Sequence, residues 1–240
     1  MKPIWLLSIA LGLGFLSQEV SAQPAENAKA PKKGKPAWQW TLDERLAARY
    51  DPTAVKARHA RRLAEHEAYR AAKRARGIPE DPVFDHIEPS PYSVEGKDNP
   101  ELFLPHELFG HLLITSFPPE GDAYSRRRIE QRAAALGFGS DLWPRLERIA
   151  EPLLAYARER HKLAMKTLRA GAEVPEPEDI YLRCRLQADA LAAAKVEFGE
   201  EAFFRLLYET VAPSLGISDS PDQDATELAK ALRYQEKGCR

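Results

Sequence analysis

From residue 40 onward, apolar positions recur at intervals of about 3.6 residues, and nowhere do they alternate long enough to build a sheet. The chain therefore reads as all-α, an irregular bundle of six to eight helices. After Trp38-Gln39-Trp40, Thr41 and Glu44 have the spacing of a capping box and open a first helix. Asp51 as N-cap, Pro52 at the first helical position and Gly77 as the stop delimit a long helix over 52–76. Its only sizeable apolar groups are Val55, Leu63 and Tyr69, so one side should face water. The span 105–117 is the most apolar helix, with Leu108, Phe109, Leu112 and Leu113 on one stripe.

Further helices follow over about 122–136, 140–170, 178–198 and 200–211, and a last one ends near Tyr234. Ser140 is placed as the cap of the second of these, and Pro152 should bend it. In 178–198 the expected buried positions are Ile180, Cys184, Leu191, Ala194 and Phe198. Ser220 and Gln223, with Pro221, form a second capping box before the last helix. Between the helices, 78–100 holds five prolines and reads as non-helical, with a short extended piece at 83–87. There is no internal repeat.

The opening 22 residues read differently. Lys2 precedes an apolar run over 4–16, and Val20-Ser21-Ala22 supplies the small residues of a cleavage site. This is the order of a secretory signal peptide, removed after Ala22. The apolar run is well short of the roughly 20 residues a membrane-spanning helix needs. Residues 23–37 are Ala, Lys and Pro with no large apolar group, a composition expected to form a disordered basic arm. Residues 38–240 are then a single helical domain. Export makes the two cysteines, Cys184 and Cys239, a disulfide pair, and no Cys-x-x-Cys suggests redox catalysis. The location expected is periplasmic or extracellular, with no stable membrane insertion once the signal is cut.

Charge sharpens the partner question. The formal net charge is −1, yet the sign alternates in blocks: net +9 over 29–77, −9 over 78–125, +6 over 126–172 and −9 over 173–227. Such blocks are expected to pair within the fold. If they do not, the helix over 52–76 would offer Arg58, Arg62, Arg70 and Arg74 to an anionic envelope component or another exported protein. Nucleic acid is not an expected partner for an exported chain.

Candidate chemistry is sparse. In His106-Glu107-Leu108-Phe109-Gly110-His111 the histidines lie five apart, about 140° around a helix, whereas the zinc-protease motif sets them four apart, about 40° around. Glu107 and His111 do share a face and could begin a divalent-metal site, such as zinc, with His86, Asp85 or Glu88. His59 and His66 are about 10 Å apart along their helix, too far for one ion. Asp219, Asp222, Asp224 and Glu227 lack the spacing of a calcium loop and fit capping better. Asp81, Asp85, His86 and Glu88 are the available acid–base groups of the proline-rich segment. No phosphate loop, dinucleotide glycine pattern, nucleophile elbow or haem-attachment motif is present. The expected function is that of a binding, interaction or chaperone-like module without a cofactor. The alternatives are a metal-dependent hydrolase at Glu107 and His111 and a purely structural envelope component.

Overall fold

The apolar stripe of the most hydrophobic helix sets the arrangement of the rest. In the computed structural model, residues 34–81, 85, 88–118, 123–217 and 224–240 are described. Among them are eight α-helices: α1 (Leu42–Tyr50), α2 (Pro52–Ala75), α3 (Pro105–Ser116), α4 (Ala123–Ala135), α5 (Leu142–Arg169), α6 (Leu182–Phe198), α7 (Glu200–Leu206) and α8 (Ala225–Glu236). The all-α reading holds. The signal segment, all but the last four residues of the arm, His86 and the capping box of Ser220 and Gln223 lie outside the described residues.

Leu108, Phe109, Leu112 and Leu113 of α3 are buried, each contributing about 2 kcal/mol from removal of its side chain from water. They pack with Leu142, Leu146 and Ala150 of α5 and with Phe203 and Leu206 of α7. Phe109 and Phe203 meet edge to face at 5.8 Å. The expected helix over 200–211 is more complex than its periodicity suggests. It is α-helical only to Leu206, and Leu207–Val211 forms a π-helical turn against α3. A π turn disturbs the i→i−4 ladder, and Arg132 of α4 donates to the Thr210 carbonyl at 3.1 Å.

The caps follow the sequence closely at the start of the chain. Glu44 N–H donates to Thr41 Oγ1 while Thr41 N–H donates to Glu44, and Ala54 N–H donates to Asp51 Oδ1 at 2.7 Å. α2 ends at Gly77, whose φ of +67° lets Gly77 and Ile78 donate back to the carbonyls of Arg74 and Lys73. Two expectations are corrected. Asp141, not Ser140, occupies the N-cap position of α5, without a side-chain cap bond. Ile180 lies outside α6 and is 44% exposed, while Ala190 and Ala194 are the fully buried positions of that helix.

A small ladder also forms that the sequence pattern did not suggest: β1 (Val94–Glu95) pairs antiparallel with β2 (Gly216–Ile217). Gly96, at its end, approaches so closely that a Cβ there would sit 1.8 Å from the Ala212 carbonyl oxygen. Cys184 of α6 and Cys239, just beyond α8, lie at disulfide distance with Cα atoms 6.0 Å apart, as expected. No helix among the described residues is long and apolar enough to cross a membrane.

Candidate functional site

Glu107 has a role other than the metal ligation for which it was a candidate. Arg49 of α1, 1% exposed, donates to both of its carboxylate oxygens, at 2.9 and 3.1 Å. Its Oε2 also accepts from the Leu104 N–H at 2.8 Å, closing the first turn of α3. Near by, the Arg45 guanidinium is buried and donates to the carbonyls of Glu101, Phe103 and Ala37. It also lies 4.7 Å from the centre of the Tyr208 ring. Burial pulls the Arg45 pKa down, with Tyr208 and Glu236 opposing the shift. Tyr208 OH donates to the Phe103 carbonyl, and burial pushes its pKa up. α1 is thus fixed by two buried arginines that bond to polar groups around the start of α3.

Beside this junction a groove of about 690 Å³ runs between α3 and α6. Gly110 leaves room for the Gln187 side chain, since a Cβ there would meet Gln187 Nε2 at 2.8 Å. Gln187 uses that space to donate to the His106 carbonyl at 2.5 Å. One end of the groove is marked by α8, where His106 Nε2 lies 3.2 Å from Gln235 Oε1 and Cys184 Sγ approaches the Gln235 carbonyl. The other end is marked by Phe204 of α7, over whose ring Lys195 sits at 5.1 Å. Between them the walls are mostly apolar, including Ile114, Leu191, Leu215 and Ile217.

His106 and His111, five positions apart on α3, both line this groove. α6, α7, α8 and β2 supply its other walls. Burial lowers the pKa of both histidines. His106 Nδ1 is buried and has no hydrogen-bond partner among the described residues. Burial raises the pKa of Glu236, opposed by Arg45. Among the described residues no three His, Cys, Asp or Glu side chains are grouped to hold a metal ion, so Glu107 and His111 have no third ligand there. His86 lies outside the described residues.

The basic helix turns toward the acidic segment after it. Arg58 is buried and donates to the carbonyls of Ala48 and Arg49. Arg62 pairs with Glu95 at 2.6 Å, Arg70 with Glu80 at 2.9 Å, and Arg74 with Glu67 and Glu80. Lys73 pairs with Asp85, and that pairing lowers the Asp85 pKa and raises that of Lys73. His59 Nε2 lies 3.1 Å from the Pro89 carbonyl. The third and fourth charge blocks meet in the same way, Arg145 and Arg148 sharing Glu197. The four candidate surface arginines are therefore each occupied within the fold.

Sequence reasoning missed Gln187, Lys195 and Arg183 as groove residues. A signal was present. α6 carries apolar residues on two faces, with Ala190 and Ala194 buried in the core and Ala188, Leu191 and Ala192 along the groove. A helix apolar on two sides needs two neighbours or leaves one side open. Among the described residues, fold and geometry define an all-α protein with a cysteine pair at disulfide distance and a largely apolar groove between α3 and α6. No protein-family model, curated protein or solved structure matches this chain.

Proposed function

We propose that this is an exported binding protein that holds apolar ligands in the groove between α3 and α6. The groove itself carries the reading. Its volume falls in the range of ligand pockets, roughly 300–1,000 Å³, and it combines apolar walls with a few polar groups, among them His106, His111 and Gln187. The contrast with α2 supports it too, since the cations of that helix are engaged by acids of the same chain. The apolar start of the sequence and the Cys184–Cys239 pair favour an oxidising compartment, periplasmic or extracellular.

The test is titration with Nile red, a neutral dye that brightens in apolar surroundings. Saturable binding is expected for the wild-type protein. Leu191→Asp, which places a charge in the groove wall, should weaken it at least tenfold while leaving the helical circular dichroism unchanged. Equal binding by both proteins would sink the reading. Export is tested separately by mass spectrometry of protein recovered from the producing cell. An N-terminus at Gln23 is expected, and an intact Met1 would count against it.

A further inference from the structure

We infer that the ligand is a single-chain amphiphile, a long acyl chain bearing a carboxylate, with its head at Arg183 and its tail along α6. This rests on the groove reading above and adds the class of occupant. Arg183 and Lys195 lie on the groove face of α6, twelve residues apart, which is about 18 Å of helix. Between them the same face presents Ala188, Leu191 and Ala192, with Gln187 the only long polar side chain. The result is an extended apolar strip along α6 with a cation at each end.

The two cations differ. Lys195 is engaged by Glu200 and lies over Phe204. Arg183 is exposed, and no ion pair or hydrogen bond ties it to another described residue. A planar guanidinium with free donors suits a carboxylate, which it can hold through two parallel bonds. A cationic head would have to use Glu236 at the α8 end, because Glu107 is already held by Arg49. An extended peptide is disfavoured. Each of its residues would bring a backbone donor and acceptor against the α6 strip, where Gln187 is already bonded to the His106 carbonyl. An acyl chain requires none.

The experiment is isothermal titration of the full mature protein with palmitate, octanoate and hexadecanol, each below its aggregation concentration. Palmitate should bind at least 100-fold more tightly than octanoate, since each buried methylene contributes about fourfold. It should also bind about tenfold more tightly than hexadecanol, the size of one charge-assisted hydrogen bond. Arg183→Gln, at an exposed site that should not disturb folding, should abolish the preference for palmitate over hexadecanol and leave hexadecanol binding intact. Ala192→Trp, which fills the groove, should weaken both. If Nile red binds but palmitate does not displace it, or Arg183→Gln leaves the preference unchanged, the carboxylate assignment is overturned while the groove reading stands. Tighter binding of an apolar peptide than of palmitate would also overturn it. Failure of every apolar probe, Nile red included, would remove both readings.

Discussion

Glu107 shows how far a residue's role depends on its neighbour. In sequence it is a carboxylate one turn from a histidine; in the fold it is clamped by an arginine 58 positions earlier. Removing one member of a buried pair leaves the other charge without its partner, so Glu107→Ala should cost about 3–5 kcal/mol. Chemical denaturation would measure this, and a loss below about 1 kcal/mol would show the pair to be dispensable. The histidines give a second expectation at this scale. Burial lowers the pKa of His106 and His111, so below the unfolded value near 6.5 the unfolded chain binds more protons than the folded one. Stability is therefore complete above that pH and falls as pH drops through it, by at most about 1.4 kcal/mol per unit for each histidine. Melting temperature should decline from pH 7.5 to 5.5, and a double variant, His106→Gln with His111→Gln, should flatten that slope.

Elements with strong local signals appear where the sequence places them. α2 begins at Asp51 and Pro52 and stops before Gly77 because each of those residues satisfies or removes a terminal backbone group locally. Elements fixed by distant contacts do not follow the same rule. The β1–β2 ladder is two residues long on each strand, too short for any alternation to reveal it. It depends on Gly96, where even one methyl group would overlap the Ala212 carbonyl. Gly96→Ala should destabilise the protein by about 1–3 kcal/mol through forced backbone displacement. It should also weaken Nile red binding, because β2 and the residue before it supply Ile217 and Leu215 to the groove. Unchanged stability would show that the ladder yields without cost.

At the scale of the whole molecule, alternating charge blocks and a terminal disulfide tie distant segments together. The bridge encloses 55 residues, and the loop-closure effect of that length is about 4 kcal/mol. Cys184→Ser with Cys239→Ser should lower stability by up to that amount. The loss should be felt at the α8 end of the groove, where Gln235 meets both His106 and Cys184. Equal melting temperatures with and without a reducing dithiol would contradict a stabilising role.

The sequence alone determined the fold class, the start of α1, both ends of α2, the apolar face of α3, the cysteine pair and the mutual neutralisation of charge blocks. Each of these depends on residue spacing, on caps within a few positions, or on the compartment expected of the chain. Only the tertiary structure decided that Glu107 belongs to Arg49, that His106 and His111 border one groove, and that α6 leaves an apolar face open. Those outcomes depend on which helix sides meet across separations of up to 129 residues, as between His106 and Gln235. Helical periodicity marks the sides that avoid water, but not which partners will cover them.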